Sequence, residues 1–181
     1  MSDFQLRQAA RIIAAGGVVA CPTEAVFGLS CDPLNPLALQ RVLRIKNRPV
    51  LKGLILAAAD FEQLRPFIDT RDIDMQPVIE SWPGPETWIL PAAADVPSWI
   101  TGGRDTIACR VTAHPTMSAL CRTAKRALIS TSANRSGQAP ARSPLQVRLR
   151  CPGADQILHA PLGKQAKPTR IRDARTGEQL R

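Results

Sequence analysis

The chain has 181 residues, 44% of them hydrophobic, which predicts a single domain over residues 1–181 with a sizeable core. No apolar stretch reaches the roughly 18 residues a membrane helix needs, and the N-terminus does not read as a signal peptide. The net charge of +9 is uneven: residues 1–121 carry 11 basic and 12 acidic side chains, and residues 122–181 carry 13 and 3.

That composition predicts a soluble, cytoplasmic protein. The basic last third suits a polyanion or a plainly solvated surface, and charge alone leaves both open. Five cysteines, an odd number without a C-x-x-C pair, argue against a disulfide framework and a structural metal. Buried free thiols are expected instead.

In chain order, residues 3–15 read as a helix with a Ser2/Gln5 capping box, placing Phe4, Ala9, Ile12 and Ile13 near one face. Gly16–Gly17 ends it. "VVAC" (18–21) and "AVFGLS" (25–30) read as strands. Asn35 and Pro36 open a second helix through about Lys46, and Arg48–Pro49 breaks it. "GLILAA" (53–58) is a strand, with short helices expected from Asp60 and Asp72. "SWPGPETWILPA" (81–92) is a turn and strand, and "TGGRDTIACRVT" (101–112) a glycine turn feeding a strand. "HPTMSALCR" (114–122) is helical and "ALIS" (127–130) extended. "TSANRSGQAPARS" (131–143) is a loop before a Ser-capped helix. "QILHA" and "TRIRDA" are weak strands. The alternation predicts an α/β fold, one sheet with helices packed on it, its binding surface on loops after strands.

Four places could carry chemistry. "PTE" (22–24) offers a hydroxyl and a carboxylate at a strand end, or simply a proline turn. "RIKNRPVLKG" (44–53) crowds Arg44, Lys46, Arg48 and Lys52 at the mouth of a strand. That suits a triphosphate, or a charged helix C-terminus in water. No P-loop pattern is present. "STSAN" (130–134) could bond phosphate or a small polar substrate, or serve the turn itself. Arg110 interrupts an apolar strand and needs an anionic partner. An internal carboxylate such as Asp32 or Asp105 is the leaning, with a ligand carboxylate as the other choice. His114 and His159 make no metal site, and His114–Pro115 reads as a helix start. No hydrolytic nucleophile is supported.

Taken together, "GGVVACPTEAVFGLSCDP", "RIKNRPVLKGLIL", "SWPGPETWIL", "TGGRDTIACRVTAHP", "LISTSANRSG" and "TRIRDARTG" resemble the YrdC/TsaC family over residues 5–178. The resemblance is to its short form, without the extra C-terminal domain of longer relatives. It implies a YrdC-like open twisted mixed sheet with flanking helices and a concave positive cavity. It also implies a nucleotidyltransfer reaction. L-Threonine and bicarbonate give N-carboxythreonine, which attacks the α-phosphate of ATP to give threonylcarbamoyl-adenylate and pyrophosphate. A downstream threonylcarbamoyl transferase complex then modifies tRNA beside the anticodon.

By that resemblance, Lys46, Arg48, Lys52, Thr106, Ser132 and Asn134 hold ATP, with Mg2+ accompanying it, and Lys46 and Arg48 are catalytic. Thr23, Arg110, Ser130 and Thr169 surround threonine. Ala25 and Leu51 depart from common family patterns. Positive charge at a strand mouth then lowers the repulsion between a carboxylate and a polyphosphate. The family also implies binding of tRNA or double-stranded RNA, which the basic last third would suit. An RNA-binding module without catalysis is the main alternative. It fits poorly with 4% aromatic residues and no Tyr. A carbamoyl-transfer relative is a second.

Overall fold

A computed structural model describes residues 1–47, 54–165 and 169–180. Helix α1 (Asp3–Ala14) starts at Ser2, whose hydroxyl accepts from Gln5 N–H at 3.4 Å while Ser2 N–H donates to Gln5 Oε1 at 3.3 Å. The expected capping box is therefore present. Its buried face is Leu6, Ala9 and Ile13. Phe4 is 67% exposed, against expectation, because it lies two residues, more than half a turn, from Leu6.

Helix α2 (Pro36–Lys46) runs as the sequence predicts. Asn35 Oδ1 accepts from the N–H groups of Leu37 and Ala38 at 3.1 and 3.0 Å, and Asn47 ends the helix in the left-handed conformation, φ 48°. The helix expected from Asp60 does not form. Asp60 Oδ1 accepts from Gln63 N–H, but Pro66 has no N–H to extend the turn, and only a 3-10 turn (Arg65–Phe67) follows. The helix expected from Asp72 begins later, as α3 (Gln76–Glu80), with Asp74 Oδ1 accepting from Gln76 N–H at 3.0 Å. The remaining helices are α4 (Ser98–Thr101), α5 (Pro115–Ala124) and α6 (Pro144–Arg150).

The strands are β1 (Val19–Pro22), β2 (Phe27–Ser30), β3 (Ile55–Ala58), β4 (Glu86–Pro91), β5 (Thr106–Val111), β6 (Leu128–Ile129), β7 (Thr131–Ser132), β8 (Gln156–Ile157) and β9 (Arg170–Asp173). They pair into two mixed sheets rather than the one expected. One has the order β7-β2-β1-β8 and the other β6-β3-β5-β4-β9. The cause is a switch at Ser130. Leu128 and Ile129 pair with β3, then Thr131 and Ser132 pair with β2 of the other sheet. Ile129 N–H also donates to Cys31 O at 3.0 Å, which ties the sheets together.

Residues along β1 and β3 alternate between two cores. Ala20, Leu56 and Ala58 join the larger one with Phe27, Leu29 and the Leu39–Val42 face of α2. Val19, Cys21 and Ala57 join a second with α1 and α5. Both faces are covered, so these segments read as unbroken apolar runs. All five cysteines are free and buried.

Candidate active site

The two sheets part beside Ser130, and a cavity of about 550 Å³ lies between them. One wall carries Gly28, Thr131 and Ser132 from the first sheet, with Thr23 just after β1. The other carries Ile55, Thr106, Ala108 and Arg110 from the second, with Thr169 just before β9. Gly28 leaves room here, since a Cβ at that position would sit 3.3 Å from Ser130 Oγ.

Thr23, Ser130, Arg110 and Thr169, separated widely in sequence, all line this one space. Thr23 Oγ1 donates to Val26 O at 2.7 Å, so the turn holds the hydroxyl while it borders the cavity. Ser130 is fixed through its N–H, which donates to Ile55 O at 2.8 Å. Arg110 Nη1 donates to Thr169 Oγ1 at 2.8 Å. Its internal carboxylate is neither Asp32, which pairs with Arg126, nor Asp105, which pairs with Arg175. It is Glu24, with Arg110 Nη2 3.4 Å from Oε2 and both side chains buried. Glu24 Oε1 accepts from Thr112 Oγ1 at 2.6 Å.

Residues 11–181 match the Sua5/YciO/YrdC family, described as "Telomere recombination". The chain belongs to this family. The threonylcarbamoyl-AMP synthase of Nitrosococcus oceani is 51% identical over 181 residues, covering 99% of this chain and 98% of that relative. The synthase of Escherichia coli K12 is 47% identical over 167 residues, covering 91% and 88%. Among solved structures, P. abyssi Sua5 complexed with L-threonine superposes with a TM-score of 0.90 at 31% identity. That match covers 99% of this chain and 53% of the Sua5 chain, so the present chain spans about half the length of that relative. E. coli YciO gives 0.84 at 26% identity, covering 95% and 84%. The mixed α/β architecture implied by the sequence resemblance is thus that of the Sua5/YciO/YrdC fold.

Within this Sua5/YciO/YrdC chain, the residues expected around ATP divide. Thr106 and Ser132 line the cavity. Lys46 and Asn134 are not among the described lining residues but hydrogen-bond to Ser132, which is. Arg48 and Lys52 lie outside the described residues, as does Leu51; Ala25 is buried on the lining. Lys46 was expected at an exposed helix end but is 1% exposed. Its ammonium donates to Ser132 O, to Asn134 O at 3.1 Å and to Asn134 Oδ1 at 3.0 Å. Asn134 Nδ2 donates to Arg135 O and Gln138 O, and Ser132 Oγ donates to Asn134 Oδ1 at 2.6 Å. The loop turns its carbonyls inward, and a buried carbonyl needs a donor. Lys46 supplies one, so K…S-x-N is a single folded unit.

The family chain also places Arg104 on the cavity rim, which the sequence reading passed over. The available signal was the "TGGR" turn: Gly102 and Gly103 both take positive φ and bring Arg104 back to the cavity. Glu24, the carboxylate of the "PTE" stretch, finds its partner in Arg110, which no local spacing indicates. Below the site, burial lowers the basicity of His114, whose Nε2 donates to Pro161 O at 3.1 Å. Nδ1 then carries no proton and has no partner among the described residues. Burial pushes the Cys31 and Cys121 thiols up to about 12, so neither is a thiolate nucleophile. Among the described residues no group of three or more His, Cys, Asp and Glu is arranged to hold a metal. None of the described helices is long and apolar enough to cross a membrane.

Proposed function

We propose that the protein is an L-threonylcarbamoyladenylate synthase, a nucleotidyltransferase acting on L-threonine, bicarbonate and ATP. The observation that carries this is the convergence of Thr23, Arg110, Ser130 and Thr169 on one cavity, in a chain about half identical to synthases over nearly its whole length. Arg110 receives the threonine carboxylate, and the hydroxyls around it bond the amino acid without adding charge. The amine of threonine takes up bicarbonate with loss of water to give N-carboxythreonine. A carbamate oxygen bonds to the α-phosphorus, the bond from that phosphorus to the β-bridging oxygen breaks, and pyrophosphate leaves.

No protein nucleophile is required in this scheme. The chain contributes position and electrostatics. Arg104 on the rim is left to the phosphates, Arg48 and Lys52 are assigned to them by the motif resemblance alone, and Thr106 and Ser132 add hydroxyl contacts. Mg2+ would travel with the triphosphate and spread its charge. The product is a mixed anhydride, passed to a transferase that acts on tRNA.

Pyrophosphate release from ATP is expected to require both threonine and bicarbonate, with carbamoyl phosphate unable to replace them. Release without threonine, or supported by carbamoyl phosphate, would overturn this reading.

RNA contact belongs to a separate surface. Arg148 on α6 is exposed, whereas Arg150 is half-buried and donates to Ala139 O and Pro140 O beside the cavity. Arg148→Ala should weaken tRNA binding and flatten its salt slope by about one unit, leaving pyrophosphate release unchanged. Equal losses in both assays would show that RNA and small substrates share one surface.

A further inference from the structure

Two arginines of the described lining face the same cavity in different electrostatic settings. Arg104 is exposed at the rim. Its Nη1 reaches Thr101 O at 3.4 Å, and it makes no ion pair among the described residues. Arg110 is 4% exposed and has the Glu24 carboxylate against it at 3.4 Å. Glu24 is held in place from several sides. Thr112, two residues beyond Arg110 and so on the same face of the chain, donates to Oε1 at 2.6 Å. The Glu24 carbonyl accepts from Gln165 N–H at 3.1 Å, and the neighbouring Thr23 carbonyl accepts from Gly163 N–H at 3.0 Å. Gly163 packs so closely that a Cβ there would lie 2.6 Å from Glu24 O. Oε2, the oxygen facing Arg110, accepts no hydrogen bond among the described residues.

We propose that Glu24 is a specificity-determining residue that sorts the two anionic substrates. By compensating Arg110, it makes the inner end of the cavity a place for one carboxylate in a fixed geometry and a poor place for polyphosphate. This rests on the reading of the Arg110 end as the threonine end. A buried, uncompensated guanidinium would attract the most highly charged anion present, and in this reaction that is ATP or pyrophosphate. With Glu24 beside it, the pair is neutral. A triphosphate brought there would meet the Glu24 carboxylate at close range in a poorly solvated site. A single carboxylate can approach Arg110 as a planar partner with far less repulsion. Rejection of the wrong anion by a fixed like charge is a device of specificity rather than of affinity. Arg104 has no such counter-charge among the described residues and is left to the phosphates.

The test uses the full chain with inorganic pyrophosphate as the probe. Threonine binding is measured by calorimetry, with and without pyrophosphate, in wild type and in Glu24→Gln. Glutamine keeps the shape and can still bond Thr112, but it removes the charge. Pyrophosphate should compete with threonine at least about tenfold more strongly in Glu24→Gln than in wild type. Apparent threonine KM in the variant should rise with ATP concentration. Glu24→Asp, which keeps the charge, should stay near the wild-type value. A general loosening of the fold would not produce that charge-dependent split. Should Glu24→Gln fail to fold, Thr112→Val keeps the charge but releases the carboxylate, and a smaller rise of roughly threefold is expected. Unchanged pyrophosphate competition in the folded variant overturns the proposal and leaves the synthase reading intact. Failure of wild type to bind threonine overturns both.

Discussion

Lys46→Met is expected to lose on the order of 3 kcal/mol of stability, because Ser132 O, Asn134 O and Asn134 Oδ1 lose their common donor. Methionine retains most of the aliphatic stem, so the loss reports the ammonium rather than a cavity. The melting temperature should fall by roughly 6–12 °C for a chain of this size. Activity should drop at least tenfold even below the transition, since the Ser132–Asn134 turn borders the cavity and its geometry depends on Lys46. A surface phosphate ligand would behave differently: ATP KM would rise and the melting temperature would hardly move. Thermal denaturation beside steady-state kinetics separates the two. An unchanged melting temperature would return Lys46 to a purely ligand-facing role.

At the other end of the cavity, Arg110→Lys should raise the threonine KM by about tenfold or more while ATP KM changes less than about twofold. Lysine keeps a charge opposite Glu24 but loses the planar fork that meets Thr169 and a carboxylate together. Arg110→Met is expected to be harsher. It strands the buried Glu24 carboxylate, at a cost of roughly 3–5 kcal/mol if the charge is retained. Comparing the two variants separates recognition from folding. If Arg110→Lys raises the ATP KM instead, Arg110 belongs to the phosphate end and the assignment of the two ends must be exchanged.

The local grammar of the chain was legible in its residues. Ser2 and Gln5, Asn35 and Pro36, and Ser143 and Pro144 each mark a helix start because a cap needs only atoms within one turn. The apolar runs expected as strands at 18–21 and 53–58 contain most of β1 (Val19–Pro22) and all of β3 (Ile55–Ala58), whose residues pack into cores on both faces. Where local signals misled, a local cause was also available. Asp60 had a cap but met Pro66, and Phe4 was apolar but on the wrong side of α1.

What the sequence by itself determined was the class of structure, the positions of most elements and, through motif resemblance, the family. Tertiary structure alone decided three things that matter for chemistry. It divided the strands into two sheets at Ser130, which opens the cavity. It buried Lys46 under the Ser132–Asn134 turn. It gave Arg110 the partner Glu24 instead of Asp32 or Asp105. Each of these joins positions more than 80 residues apart or turns on which of two nearby sheets a strand pairs with. Periodicity and capping act over one or two turns and carry no information about such distances. Charge partners are selected by where the packed sheets bring a carboxylate, because a buried ion is stable only beside the counter-charge that packing places there.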